Sequence, residues 1–284
     1  MVTSRSTNVT IAGRNIQMAK ATTDLSGYET EMIKPKELIE IKGSGALTLQ
    51  DRRLFNMLLN EAWGKRISKH GETFTIDTAS LKDTAKQTDQ NNQRLKKSLR
   101  RLMTTTIITV NAAGDDVETQ LLGSRRITPA GQMHYSFPND LADVLKDSSV
   151  FAKLDLEVMS SFSSKYAFAL YEAVARRINM KYKHNESLDI EDMRELLGVD
   201  TGKLSSYRNL RIKAIEPAVA EVNEITPYLV TIHPVKKGRK VVGFTLHWSI
   251  KDKAGMAASW QLLQYSKVGR SAKSSGSGET VMEE

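Results

Sequence analysis

One order of elements occurs twice in this chain: a helix with an apolar face, a short alternating strand, a second helix, a basic helix, and then strands separated by turns. In the second half the order reads "SKYAFALYEAVARRINMK" (Ser164–Lys181), "SLDI", "EDMRELLG", "YRNLRIKAIEPAVAEVNEIT" and two strands around "KKGRK". In the first half it reads "LTLQDRRLFNMLLNEAW", "ETFTID", a helix from Asp77 or Thr78 through Lys86, "NNQRLKKSLRRLM", and strand-like "TTIITV", "ETQLLGSRRI" and "QMHYSF". Nineteen positions separate Ile76 from Leu95 and twenty separate Ile190 from Leu210, so the spacing repeats where the residues hardly do. Such a match predicts two copies of one small α+β architecture.

The local signals support each element. Leu47, Leu54, Leu58, Leu59 and Ala62 share one helical face, as do Tyr166, Leu170, Val174 and Ile178. Leu95, Leu99, Leu102 and Met103 form the apolar stripe of the first basic helix, capped by Asp89 or Asn91. Gly198 closes "EDMRELLG", Gly114–Asp115 marks a turn, and Pro138–Lys146 suits a short connecting helix. Helix, strand, helix, helix and hairpin make a winged helix, whose third helix enters the major groove of DNA while the wing touches backbone or minor groove. The expected fold is therefore α+β, two tandem winged-helix domains with flexible N- and C-terminal tails. Residues 1–33 read as a polar arm, 34–148 as the first domain, 149–252 as the second, and 253–284 as a Gly/Ser-rich tail. The boundary between domains is expected near Asp147–Phe151.

Charge points to the partner. The net charge is +8, which favours polyanions without choosing among them. Position chooses better: Arg94–Arg101, Lys203–Lys213 and Lys236–Lys240 hold thirteen of the 41 Lys and Arg residues and no acidic residue. With Tyr207, Ala214, Ala218, Val222 and Ile225 as the buried stripe, Asn209 and Lys213 point outward, Arg208 lies on the flank, and Arg211 sits nearer the buried side. Arginine pairs bidentately with guanine and asparagine with adenine, so Arg208 and Asn209 are the candidates for base readout. Lys203, Ser205, Ser206, Arg211 and Lys213 suit phosphates, which position without reading sequence. Pro217 removes a helical hydrogen bond to Lys213 and should kink or divide the helix there, leaving Ser206–Ile215 as the reading portion. In the first copy Arg94, Lys97, Arg100 and Arg101 point away from the leucines and suit phosphate contacts. At the wing, Gly238 permits a tight turn, and Lys236, Lys237, Arg239 and Lys240 meet phosphates.

Other chemistries find no support. With no cysteine, thiolate metal sites, disulfides and cysteine nucleophiles are excluded. "GVDTGKLS" has three residues between its glycines and Leu204 where a phosphate loop needs Ser or Thr. His184-Asn185-Glu186 lacks the cysteines of a zinc deaminase, and His233 and His247 read as sheet surface. No catalytic residue, metal site or cofactor is expected. The N-terminus lacks a signal-peptide core and no run reaches the roughly 18 apolar residues of a membrane span, so the expected location is cytoplasmic.

Four stretches in one order carry a family resemblance: "PKELIEI…LTLQDRRLFNMLLNEA" (Pro35–Ala62), "FSSKYAFALYEAVARR" with "DIEDMRELLGV" (Phe162–Arg177, Asp189–Val199), "YRNLRIKAIEPAVAEVNEIT" (Tyr207–Thr226), and "KKGRKVVGFTLHW" (Lys236–Trp248). Over Lys34–Ile250 the chain resembles the iteron-binding plasmid replication initiators, the Rep family with two winged-helix domains. The resemblance implies a non-enzymatic protein that binds double-stranded DNA at tandem origin iterons and at its own operator. It implies opening of an AT-rich region and recruitment of the host initiator and replicative helicase in a bacterial cytoplasm. It also implies base contacts from the C-terminal winged helix, at Arg208, Asn209 and their basic neighbours, and backbone contacts and the dimer interface from the N-terminal domain. A homodimer that represses its own gene would stand in equilibrium with a replication-starting monomer. Two alternatives are a winged-helix transcriptional repressor and a rolling-circle nicking enzyme.

Overall fold

A computed structural model describes residues 7–11, 14–18, 30–39, 41–63, 71–84, 93–111, 113–180, 182–265 and 270. Within the expected arm, Thr7–Ile11 (β1) and Arg14–Met18 (β2) pair antiparallel with Ile11 opposite Arg14, and Glu31–Pro35 (β3) begins inside the arm's last residues. Helix α1 (Leu49–Trp63) starts at a reciprocal cap: Asp51 accepts the Thr48 N–H at 2.7 Å, and the Thr48 hydroxyl accepts the Asp51 N–H at 3.3 Å. Its inward face is fully buried at Leu54, Leu58, Leu59 and Ala62, each buried leucine contributing about 1.5–3 kcal/mol over an exposed one.

Strand β4 (Phe74–Asp77), helix α2 (Thr78–Thr84) and helix α3 (Gln93–Thr104) follow, with Leu95, Leu99 and Leu102 buried and Met103 partly so. The expected caps Asp89 and Asn91, and the expected helix end at Lys86, lie outside the described residues. Next come β5 (Thr106–Val110) and β6 (Asp116–Gln120), then β7 (Ser124–Ile127) and β8 (Gln132–Ser136). The sheet of this copy runs β4-β8-β7, so β7 and β8 are its wing. The β5–β6 hairpin is an insertion between the basic helix and that wing. The turn foreseen at Gly114, whose φ is +95°, belongs to the insertion.

Helix α4 (Asn139–Asp147) leads to β9 (Phe151–Asp155), α5 (Leu156–Ser161) and α6 (Lys165–Arg177), which opens at Ser164. Strand β10 (Asn185–Asp189) and helix α7 (Ile190–Leu197) follow; Asp189 caps the helix start and Gly198, at φ +63°, closes it. Helix α8 (Tyr207–Leu210) continues through one π turn into α9 (Glu216–Ile225), and β11 (Tyr228–Lys237) and β12 (Lys240–Ile250) form a long hairpin. This sheet runs β10-β12-β11, the same order as β4-β8-β7. The repeated sequence order is thus a repeated topology.

The two copies share a polar seam. Strand β9 begins at Phe151, the last residue of the expected boundary at Asp147–Phe151, yet it turns back and pairs with β3. Beneath that pair Glu172 of α6 accepts hydrogen bonds from Lys34 of β3 and Asn56 of α1, both at 2.7 Å and all three buried. Burial pulls the Lys34 ammonium below the ordinary lysine value, and Glu172 opposes that shift. Arg53 of α1 donates to the carbonyls of Met159 at 3.2 Å and Ser160 at 2.7 Å, and to that of Phe162. Lys165 reaches the Gly45 carbonyl at 2.6 Å.

One expectation is corrected at the C-terminal end. Residues 253–263, read as part of a polar tail, form helix α10 (Lys253–Leu263). Asp252 caps it by accepting the Gly255 N–H at 2.7 Å, and Ala254, Ala257 and Ala258 favour the helix. Ser259 and Leu263 are buried, and Lys251 bonds the Ser259 hydroxyl at 2.6 Å and the Thr226 carbonyl, at the end of α9, at 2.9 Å. The Ser/Gly composition that suggested a tail begins only after this helix.

Candidate nucleic-acid interface

The segment before α8 is held by one arginine. Arg194 of α7 donates to the carbonyls of Lys203 at 2.6 Å and Leu204 at 2.9 Å, and Leu204 is the one non-glycine residue with positive φ, +49°, among the described residues. Ser206 then caps α8, its hydroxyl oxygen accepting the Asn209 N–H at 3.2 Å. Lys203, Ser205 and Ser206 all lie exposed on this approach.

Inside the helix Pro217 has the effect its chemistry requires, in a particular form. The helix does not break. Arg211–Ile215 widen into a π turn in which the Glu216 N–H reaches the Arg211 carbonyl. Leu210, Ala214, Ile215, Ala218, Val222 and Ile225 stay buried, and Tyr207, half-buried, stacks on Phe244 with ring centroids 6.2 Å apart. A π turn places more residues in each turn than an α-helix, so Arg211, Ile212 and Lys213 all face solvent in succession beside Arg208 and Asn209. The expectation that Arg211 sits near the buried side assumed a uniform 100° per residue and is corrected here. Arg211 lies over the Tyr207 ring at 6.0 Å and pairs with Glu216 at 3.3 Å, both side chains about half exposed. Such a pair is worth about 0–1 kcal/mol and can be exchanged for a phosphate.

The wing projects from the same copy. Lys237 pairs with Lys240 across a two-residue turn of Gly238 and Arg239, with Gly238 at φ +61° in the first central position that glycine takes in type II′ turns. A bulge at Val235/Lys236 precedes it. Lys236, Lys237, Arg239 and Lys240 are all exposed. Like charges directly opposite one another weaken a hairpin, so its stability does not call for Lys237 facing Lys240.

In the first copy the structure divides the four expected residues. Arg94, Lys97 and Arg100 are exposed on α3. Arg101 turns inward instead, giving Asp51 two hydrogen bonds, from Nε at 2.6 Å and Nη2 at 3.1 Å. Asp51 is fully buried, so its charge requires that partner, and Arg101 leaves the candidate interface. Arg126 is also exposed, on wing strand β7, as the alternation in "SRRI" places it.

His233 and His247 lie on neighbouring strands with ring centroids 5.6 Å apart. Among the described residues no group of three or more His, Asp or Glu side chains is placed to hold a metal ion, and no helix is long and apolar enough to cross a membrane. What the geometry offers is two cationic helices and one cationic hairpin, suited to a polyanion.

Comparison with known proteins gives two family matches in sequence order. The model described as Initiator Replication protein, WH1, matches residues 31–175, and that described as Initiator Rep protein, WH2, matches residues 189–248. The first match runs past 147–151 and takes in most of α6. Among solved structures, the Pi initiator protein, crystallised in complex with iteron DNA, aligns with a TM-score of 0.59 at 18% identity, covering 79% of this chain and 99% of that one. Domains 2 and 3 of RctB align with a TM-score of 0.43 at 10% identity, covering 86% of this chain and 90% of that one. No curated protein matches the chain. The likeness to the Pi structure bears on the fold, which is two winged helices in tandem.

Proposed function

Because the chain belongs to the family of initiator replication proteins, with both winged-helix segments present in order, we propose that it starts replication of a plasmid by binding tandem iterons at the origin. The observation that carries this reading is the exposed face of α8 and its π turn beside a wing that carries four exposed cations. In the major groove Arg208 and Asn209 read base edges, Arg by a bidentate pair with guanine and Asn with adenine. Lys203, Ser205, Ser206, Arg211 and Lys213 hold the phosphates on either side of that helix, and the Ser206 hydroxyl can still donate while its oxygen caps the helix. Lys236, Lys237, Arg239 and Lys240 grip the backbone next to it. Arg94, Lys97 and Arg100 provide a second set of phosphate contacts from the first copy.

Binding then favours opening of an adjacent AT-rich region, where the host initiator and the replicative helicase are recruited. A dimer built through the first copy represses the protein's own gene, and the monomer starts replication. The protein works in the bacterial cytoplasm without catalytic chemistry of its own. Footprinting on the DNA flanking its gene tests the reading. Protection of several direct repeats at one spacing, about two helical turns each, is the expected result. Protection of a single inverted repeat alone would make the protein a repressor. Relaxation of supercoiled origin DNA with Mg²⁺, leaving protein on a 5′ end, would make it a nicking enzyme.

A further inference from the structure

Ile212 stands in the middle of the reading face with 43% of its surface exposed. Around it on the helix are Arg208, Asn209, Arg211 and Lys213, all exposed and all polar. A single exposed isoleucine is ordinary on a protein surface. Its setting sets this one apart: it is apolar and exposed between the candidate base-reading Arg208 and Asn209 and the cations Arg211 and Lys213, with the exposed Glu216, paired to Arg211, one turn on. Helix propensity does not ask for it either, since a β-branched residue is a poorer helix former than alanine at an exposed site.

The major groove presents one apolar group among its donors and acceptors, the 5-methyl of thymine. We infer that Ile212 reads a thymine methyl, within or next to the base pairs that Arg208 and Asn209 address. The inference rests on the proposed binding of duplex DNA through α8. It adds a specificity that hydrogen bonds cannot supply, because uracil and thymine offer the same O4 acceptor and differ only at C5. The stiff, branched side chain loses little freedom when it meets the methyl, which suits it to this task.

The test uses the full chain and the duplex that it enriches from a randomised library. Each thymine of that duplex is replaced singly by deoxyuridine, and affinity is measured for the wild type and for Ile212→Ala. Ile212 is exposed and alanine favours the helix, so the variant keeps the fold, which a circular dichroism melt confirms. One position should cost the wild type about fourfold, equal to the ~0.8 kcal/mol of a buried methyl-sized group at 1.4 kcal/mol per tenfold, and cost Ile212→Ala nothing. If no thymine shows that coupling, or if both proteins lose equally everywhere, Ile212 does not read a methyl. Failure of the wild type to enrich any sequence would overturn the proposed function along with it. Enrichment without coupling removes the Ile212 inference alone.

Discussion

Arg100→Ala and Arg101→Ala, one residue apart on α3, should fail in different ways. The Asp51 carboxylate is fully buried and accepts four hydrogen bonds: the Thr48 N–H at 2.7 Å, the Thr48 hydroxyl at 2.8 Å, and Arg101 Nε and Nη2 at 2.6 and 3.1 Å. Removing Arg101 deletes two bonds to a charged group, each worth about 1.5–3 kcal/mol, and leaves a buried anion on neutral donors. The Arg101 side chain is 29% exposed, so water can enter its place and recover part of the loss. A net cost of about 3 kcal/mol remains, the lower end for a broken buried pair. At about 3 kcal/mol per M, the urea midpoint falls by about 1 M. Asp51→Ala added to Arg101→Ala should then cost less than it does alone, because the stranded anion is gone. Arg100→Ala should leave the midpoint within about 0.5 kcal/mol of wild type. It should instead lower the slope of log affinity for duplex DNA against log salt by about 0.9. The argument fails if Arg101→Ala unfolds at the wild-type urea concentration, or lowers the salt slope as much as Arg100→Ala does.

Other substitutions probe the second copy and the seam. Arg208→Ala should cost about 1–3 kcal/mol on the enriched duplex and little on random DNA; equal losses on both would reassign it to a phosphate. Lys236→Ala and Lys237→Ala should each flatten the salt slope by about one unit, and an unchanged slope would take the wing out of the interface. Gly198→Ala places a side chain at φ +63° with its Cβ against the Arg52 guanidinium, so thermal unfolding should show a loss of about 1–3 kcal/mol. A wild-type melting temperature would mean that Arg52 moves aside freely. Burial pushes the Glu186 carboxyl up, but hydrogen bonds from Lys183 and Arg177 outweigh it and hold the group below the usual 4.5. Its contribution is present above that value and lost as pH falls through the folded-state value. Stability of Glu186→Gln should therefore change less than wild type on acidification below 4.5, and identical acid profiles would count against the pairing.

Much of this was legible because it is local. Gly198 after "EDMRELL" is a cap signal that needs no tertiary knowledge, and it takes the position it suggests. The leucine faces of α1 and α3 follow from period alone. The unread part depends on distance or on departure from ideal geometry. Arg100 and Arg101 look alike on a helical wheel; only Asp51, fifty positions away, separates them. Pairing of β3 with β9 joins segments more than a hundred positions apart, which no alternation pattern records. A uniform 100° per residue puts Arg211 near the buried side, whereas the chain widens into a π turn ahead of Pro217 and leaves it exposed. Helix α10 was hidden by the Ser/Gly composition that follows it.

The seam between the copies also bears on descent. Two units of one topology, joined end to end, could be exchanged among relatives like interchangeable parts. Here the ammonium of Lys34 and the carboxylate of Glu172 meet 138 positions apart in the chain, with Asn56 on the same oxygen. A genetic crossover at 147–151 would hand one half a charge whose counterpart stayed with the other parent. Among relatives, position 172 should then vary in step with 34 and 56, and an alignment in which it varies independently would count against the seam as a constraint.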